Sequence, residues 1–288
     1  MGGRTRTGRS RRFGVAIPLG AASLLAAILV AAAPSSAAPG EPTAPQPYII
    51  GGGPADPAAW PFAAAILAKG RFICSGSIVT PRHVVTAGHC AIPRLADLQV
   101  VTGRYDLRDA TTGQVSSVAA KFVHPDFKRK ARHDLAVFGL TTATPSPGIA
   151  IATTAEGDAI TARGKPLGVA GWGATTPFQD KLPGFLKSTT VSAVAKKRCF
   201  RRYGKAFASV TMVCAQGVKL NPGSKRSLRT SPCAGDSGAP LIGGSRLVGV
   251  VSFGPRLCGL PFSPVVYGKT FDASALQFLG GAILVPLP

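Results

Sequence analysis

Short runs of Val, Ile, Leu, Phe and Ala recur along the chain and are separated by Gly, Pro, Ser and Thr. Apolar runs bounded by turn-forming residues are typical of β-strands. They predict strands over 62–67, 72–79, 83–86, 98–102, 136–140, 167–170, 241–242 and 247–253. Many short strands at close spacing favour an all-β sandwich or a pair of barrels.

Helical spacing of apolar residues is confined to two segments, 192–202 and 272–279, and Asp272 is placed to cap the second helix. The segment 141–147 carries two prolines and three threonines, which is the composition of a connection between two halves of the fold. The pattern therefore predicts a mostly β protein in two halves.

The N-terminal residues form a separate unit. Five arginines precede an uncharged, Ala- and Leu-rich run over 14–33, and Ser35-Ser36-Ala37 follows. This order predicts a secretory signal peptide over 1–37 and an extracellular protein. The run is also long enough for an uncleaved membrane anchor, but Pro18 and the small residues at its end favour cleavage. Arg11-Arg12 suggests twin-arginine export, whereas the Phe-Gly-Val that follows favours the general secretory route.

Four prolines lie within 38–48, so this segment is predicted to be an extended propeptide. Across all 288 residues, 45% are hydrophobic and 16% charged, which excludes a disordered polyelectrolyte. The formal net charge is +21. From Ile49 onward the net charge is +17, because five arginines and one glutamate precede that residue.

Two clusters carry much of this positive charge, Lys128-Arg129-Lys130 with Arg132, and Lys196-Lys197-Arg198 with Arg201, Arg202 and Lys205. They form either a solvated surface that aids solubility or a surface that attracts acidic proteins and anionic cell-surface polymers. No interleaved aromatics or known module accompany them, so a specific nucleic-acid partner is not expected.

Six cysteines lie beyond the signal peptide: Cys74, Cys90, Cys199, Cys214, Cys233 and Cys258. An even number in an exported chain predicts disulfides, and six cysteines allow fifteen pairings. No C-x-x-C pair is present, and we expect neither a metal nor a cofactor.

Three separate stretches carry candidate chemistry, 86–90 with His89, 133–137 with Asp134, and 235–240 with Ser237. Taken singly, they fit a structural histidine beside a cysteine, an aspartate at a strand end and a Gly-rich turn. Together they offer a hydroxyl nucleophile, an imidazole base and a carboxylate that orients the base.

The sequence resembles the trypsin/chymotrypsin-like serine endopeptidases over most of 49–279. The resemblance rests on Ile49-Ile50-Gly51-Gly52, Trp60-Pro61, Cys74-Ser75-Gly76-Ser77, Gly171-Trp172-Gly173, Met212-Val213-Cys214-Ala215, Gly235-Asp236-Ser237-Gly238 and Val251-Ser252-Phe253-Gly254. It implies a chymotrypsin-like all-β fold of two antiparallel six-stranded barrels, 49–147 and 148–288, with a short C-terminal helix.

The resemblance also implies the disulfides Cys74–Cys90, Cys199–Cys214 and Cys233–Cys258. In the family's mechanism Ser237 attacks the scissile carbonyl, His89 acts as base and then acid, and Asp134 orients His89. The backbone N–H groups of Gly235 and Ser237 form the oxyanion hole, and Ser252 supports Asp134. Partners implied are protein or peptide substrates and a protein inhibitor, and the chain is expected to be a monomer.

Activation in the family requires a new α-amino group, here that of Ile49, to pair with Asp236. Tyr48 precedes Ile49 where many relatives have Arg or Lys. The sequence therefore predicts processing after Tyr48 by an enzyme that prefers aromatic or large apolar residues, this enzyme itself included.

The substrate pocket implied by the resemblance contains Ser231, Ser252, Phe253, Gly254 and Val265. Ser231 stands where trypsin-like members carry Asp, so a buried Arg or Lys of the substrate would lack a counterion. Val265 occupies a wall position that is Gly in wide pockets. We expect a short apolar pocket and a chymotrypsin-to-elastase-like preference. The alternative function is that of a catalytically weak, basic homologue that binds anionic surfaces.

Overall fold

The computed structural model describes residues 49–127, 132–176 and 184–288. The predicted signal peptide and propeptide lie outside these residues, and so does the basic cluster at 128–130. The strands are β1 (Gly53–Pro54), β2 (Ala63–Ala68), β3 (Arg71–Thr80), β4 (His83–Thr86), β5 (Leu98–Thr102), β6 (Gln114–Val123), β7 (Ala136–Leu140), β8 (Ala150–Ile151), β9 (Pro166–Gly171), β10 (Lys187–Ala193), β11 (Met212–Gly217), β12 (Pro240–Gly243), β13 (Arg246–Phe253) and β14 (Val265–Lys269). The α-helices are α1 (Thr154–Ile160), α2 (Lys196–Tyr203) and α3 (Ala273–Leu284).

The first barrel closes in the order β2-β3-β4-β7-β6-β5, with every neighbouring pair antiparallel. Its interior is filled by branched and aromatic side chains with essentially no exposure, among them Ile66, Ile78, Val84, Val100 and Phe138. Six strands suffice because such a barrel is narrow enough for side chains alone to fill it.

The second barrel consists of β9-β10-β11-β14-β13-β12, and pairing of β12 with β9 closes it. Two short strands extend it: β1 pairs with β10, and β8 runs parallel to β13. The predicted pair of six-stranded antiparallel barrels is therefore confirmed.

The helices differ from the sequence-based expectations in two places. The segment 192–202 was expected to be helical throughout, but Ser192 and Ala193 are the last residues of β10, where they pair with β11. Pairing to two neighbouring strands outweighs their helical spacing. Helix α1 was not predicted, although Thr153 and Glu156 form a reciprocal capping box at its start.

The C-terminal helix is confirmed, and Asp272 caps it by accepting a hydrogen bond from the Ala275 N–H. Helix α3 continues to Leu284, further than the predicted 279. Although it follows the second barrel in sequence, its apolar face packs in the core of the first barrel through Leu279 and Ala282. No helix in the described part of the chain has the length and apolarity needed to cross a bilayer.

All six cysteines form disulfides, in the pairing Cys74–Cys90, Cys199–Cys214 and Cys233–Cys258. The first ties β3 to the turn that carries His89, and the third ties the turn before Ser237 to the loop after β13. Closing a loop in the unfolded chain typically stabilises a protein by about 2–4 kcal/mol for each disulfide. Two of the three therefore stabilise segments next to the candidate site.

Candidate active site

His89 and Asp134 come from neighbouring strands of the first barrel. His89 lies in a short turn that follows β4, and Asp134 lies just before β7. Because Thr86 of β4 pairs with Ala136 of β7, the two side chains meet at one barrel edge. The distance from His89 Nδ1 to Asp134 Oδ2 is 2.8 Å.

The Asp134 carboxylate is fully buried and accepts two further hydrogen bonds. The His89 backbone N–H donates to Oδ1 at 2.9 Å, and the Ser252 hydroxyl donates to Oδ2 at 2.7 Å. A buried carboxylate next to Nδ1 fixes the tautomer that carries its proton there. The Nε2 lone pair of His89 is then available to accept a proton.

Ser237 is brought to this edge by the second barrel. Its carbonyl oxygen accepts a hydrogen bond from the Ser75 N–H at 2.8 Å. Gly238 has a φ of 76°, and a Cβ at this position would stand 2.2 Å from Thr86 Oγ1. This close approach, which only glycine permits, places Ser237 beside the strand end that carries His89.

Within the described ranges, no hydrogen bond joins the Ser237 hydroxyl to His89. Catalytic hydrogen bonds are often long in unliganded enzymes and shorten when substrate binds. The arrangement therefore supplies a hydroxyl, an imidazole and a buried carboxylate at the junction of the two barrels.

The turn before Ser237 presents two backbone donors. The N–H groups of Gly235 and Ser237 donate to no acceptor among the residues that the structure describes. Gly235 adopts a φ of 92°, which a residue with a side chain would adopt only with strain. Both donors are free to bind an anionic oxygen next to the Ser237 hydroxyl.

Asp236 holds this turn from inside the protein. Its carboxylate accepts the Cys233 N–H and the Gly173 N–H, each at 2.8 Å. A Cβ at Gly171 would stand 2.2 Å from Asp236 Oδ1, so the Gly171-Trp172-Gly173 segment must lack side chains at both ends. The sequence showed this motif without showing its role.

Lys187 also lies in this interior, and no sequence motif indicated it. It is buried on β10 and pairs with Gly171 of β9, the glycine that lies against Asp236. Burial lowers the pKa of Lys187 to about 8, with a smaller opposing contribution from Asp236. A lysine among small polar residues looks like a solvent-facing position, so the sequence carries no signal for it.

Burial raises the pKa of Asp236 to about 6, and the Cys233 and Gly173 N–H groups and Lys187 oppose the shift. Ile49 is fully buried, and its nitrogen is in peptide linkage with Tyr48. No ion pair joins Ile49 to Asp236 in the described ranges. The implied activation pair requires the free amino group that cleavage after Tyr48 would create.

The raised pKa predicts how stability depends on pH in the unprocessed chain. A carboxyl group with a higher pKa in the folded state than in the unfolded state stabilises the fold fully at low pH. That contribution is lost as the pH rises from about 4 to about 6. We expect ionisation of Asp236 to make the free energy of unfolding roughly 2 kcal/mol smaller at pH 7 than at pH 4.

Other carboxylates have lowered pKa values, such as Asp106 beside Arg108, and they act in the opposite sense. The measurement is therefore the difference in unfolding free energy between Ser237→Ala and Ser237→Ala/Asp236→Asn, recorded from pH 4 to pH 8. The difference should shift in favour of the double variant as the pH rises to about 6 and stay constant above it. A difference that does not change with pH would show that the Asp236 pKa is not raised.

A recess of about 220 Å³ lies beside Ser237. It is lined by Pro232, Cys233, Ala234, Ser237, Val251, Ser252, Phe253, Gly254, Pro255, Arg256, Cys258 and Val265. The lining contains no carboxylate, and Arg256 adds a positive charge. Four of the five expected pocket residues line this recess.

Ser231, the fifth, does not line the recess. Ser231 is almost fully buried, and its hydroxyl donates to the Pro232 carbonyl oxygen. It borders a separate, narrower space, to which Val265 also contributes. Val265 and Pro232 border both spaces, and a Val265 methyl group lies 3.4 Å from the Cβ position of Gly254 in the wall of the recess.

Three residues near Asp134 could in principle ligate a metal: His124, Asp126 and His133. The two imidazole rings are stacked, with their centroids 4.1 Å apart and an angle of 6° between their planes. Ring lone pairs lie in the ring planes, so two parallel rings do not converge on one ion. His124 Nδ1 already accepts the Asp126 N–H, and its Nε2 contacts the Ser274 hydroxyl. The cluster therefore ties the segment before Asp134 to α3.

Comparison with known proteins agrees with this geometry. The family model described as Trypsin matches residues 49–276. A trypsin of Saccharopolyspora erythraea is 32% identical, with 82% of this chain and 100% of that protein covered. Human kallikrein-14 is 33% identical, with 76% of this chain and 79% of that protein covered.

A solved structure of neuropsin, described as a serine protease expressed in the limbic system of mouse brain, is similar to this chain with a TM-score of 0.67. The sequences are 27% identical, and the match covers 81% of this chain and 98% of neuropsin. The chain therefore belongs to the trypsin family of serine endopeptidases, and it is a hydrolase of protein or peptide substrates.

Proposed function

We propose that His89, Asp134 and Ser237 are the catalytic triad of this endopeptidase. The Ser237 hydroxyl attacks the scissile carbonyl carbon, and His89 Nε2 takes its proton. His89 gives this proton to the leaving amine, and an acyl-enzyme ester remains on Ser237. Water then hydrolyses the ester after His89 has accepted one of its protons, and Ser237 regains its hydrogen.

The observation that carries this proposal is the 2.8 Å contact between His89 Nδ1 and the buried Asp134. Three donors converge on that carboxylate, so it stays in place while a positive charge forms on the imidazole. The free N–H groups of Gly235 and Ser237 donate to the oxyanion. Loss of one such donor typically costs about 3–4 kcal/mol of transition-state stabilisation.

For the residue before the cleaved bond, we propose a preference for small or medium apolar side chains. A substrate Arg or Lys would meet no carboxylate in the recess and would share it with Arg256. Val265 limits the depth of the recess. Peptides with Phe, Leu, Ala and Arg at this position test the preference, and Arg as the best residue would contradict it.

Replacing Val265 by Gly should deepen the recess and change the preference. We expect the ratio of kcat/KM for Phe over Ala peptides to rise about 10- to 100-fold, because a large ring then has room to bind. Val251→Ala is the control: it removes two side-chain carbons from the lining, one fewer than Val265→Gly, and leaves Val265 in place. An equal rise in both variants would mean that Val265 does not set the depth.

We further propose that the protein is secreted as a zymogen and is activated by cleavage between Tyr48 and Ile49. The new α-amino group of Ile49 pairs with Asp236, whose pKa is raised by burial and would be lowered by this pairing. A recess shortened by Val265 would accept Tyr48 poorly, which favours a separate activating enzyme. N-terminal sequencing of the active secreted protein tests this proposal, and a start other than Ile49 would contradict it.

A further inference from the structure

A strongly basic recess lies on the second barrel, at the beginning of α2. It has a volume of about 280 Å³. Its lining consists of Arg163, Gly164, Ala193, Val194, Ala195, Lys197, Arg198 and Arg201. Four of these side chains are cationic and none is acidic, so the recess has the charge expected of an anion-binding site.

A second recess adjoins the first and shares Arg163, Val194 and Ala195 with it. It adds the cations Lys196 and Lys269, and Asp158 is the acidic residue in its lining. The two recesses together form a basic track that can contact several anionic groups along one ligand. None of the residues of the basic track lines the recess beside Ser237.

The cations in the first turn of α2 do not stabilise the helix. Lys196, Lys197 and Arg198 occupy its first turn, and Ala195 offers no side-chain cap. Positive charges at a helix N-terminus are repelled by the positive end of the helix dipole. The helix is instead held by the Cys199–Cys214 disulfide, which attaches it to β11.

Three cations of the first recess have no polar partner within the described part of the protein. Arg163, Lys197 and Arg201 have neither a hydrogen bond nor an ion pair with any residue in the described ranges. Arg198 differs, because its guanidinium donates to Gln216 Oε1 at 3.0 Å. The first three side chains are therefore free to bind an external anion.

We propose that this basic track binds a linear acidic polysaccharide through its sulfate or carboxylate groups. The two adjoining recesses fit successive charged groups of a polymer better than a single small anion. Phe207, the aromatic residue in their lining, is buried, so the recesses offer no surface on which nucleic-acid bases could stack.

The test measures binding of heparin to the full mature chain carrying Ser237→Ala, so that the result does not depend on catalysis. The test variant is Arg163→Gln/Lys197→Gln/Arg201→Gln. The control, Arg71→Gln/Lys225→Gln/Arg226→Gln, removes the same charge from exposed positions that do not line the basic track. Desulfated heparin and a single-stranded DNA oligonucleotide serve as further ligands.

We expect the test variant to weaken heparin binding at least tenfold and the control about twofold or less. The slope of log Kd against log salt should fall by about two in the test variant, because each lost cation removes about 0.7–0.9. Equal losses in both variants would overturn the proposal, since binding would then follow net charge alone. Tighter binding of DNA than of heparin, lost in the same variant, would assign the basic track to nucleic acid instead.

Discussion

Replacing Asp134 by Asn is expected to lower kcat for peptide hydrolysis about 10⁴-fold with little change in KM, as the same change does in the serine protease that defines this mechanism. An amide NH₂ facing His89 would donate to Nδ1 and force the ring proton onto Nε2. The nitrogen next to Ser237 could then no longer accept a proton. Steady-state kinetics on a Leu or Ala peptide measure the effect.

Ser252→Ala is the informative comparison, because it removes one of the three hydrogen bonds to the same carboxylate. It leaves the charge and the contact with His89 intact, so we expect a loss of about tenfold, the value for one hydrogen bond to a charged group. If Asp134→Asn retained more than a tenth of the wild-type kcat, Asp134 would not set the tautomer of His89.

The second large effect on kcat is expected from removing Ser237 or His89, the two groups between which the proton moves. Ser237→Ala and His89→Ala should each lower kcat about 10⁶-fold, and the double variant should lose no more than either single one. The two residues act as one unit. The hydroxyl is a weak nucleophile without the base, and without the hydroxyl the base has no nucleophile to activate.

A double variant whose loss is the product of the two single losses would contradict this account, because the residues would then act independently. Circular dichroism and thermal unfolding of all three variants provide the control for folding. The residual activity above the uncatalysed rate should come from substrate binding and from the backbone N–H groups of positions 235 and 237, all of which the substitutions leave in place.

Several strands could be predicted from the sequence because each is a short, distinct run of apolar residues. Strands β4, β5 and β7 are short, almost fully buried apolar runs, and their bounds were predicted without error. Strands β6, β10, β11 and β14 were missed. In β6 and β10 the apolar pattern is interrupted by Ser and Thr, and pairing in the barrel decides their structure. Helix α1 was missed although its capping box could be read.

The site shows the same division. The sequence indicated His89, Asp134 and Ser237 through three motifs in one chain order. It could not show that Lys187 is buried next to Gly171, or that Ser231 does not line the recess beside Ser237. Both facts depend on contacts between segments far apart in the chain, and composition and spacing carry no information about such contacts.

Covalent labelling of the active chain by a serine-directed phosphonylating reagent tests the central claim most directly. We predict that the reagent attaches to Ser237 in a one-to-one ratio and that Ser237→Ala abolishes the label. Asp134→Asn should slow labelling greatly, because the hydroxyl is activated through His89. Failure of correctly processed protein to be labelled, or attachment of the label to another residue, would contradict the assignment of Ser237 as the nucleophile.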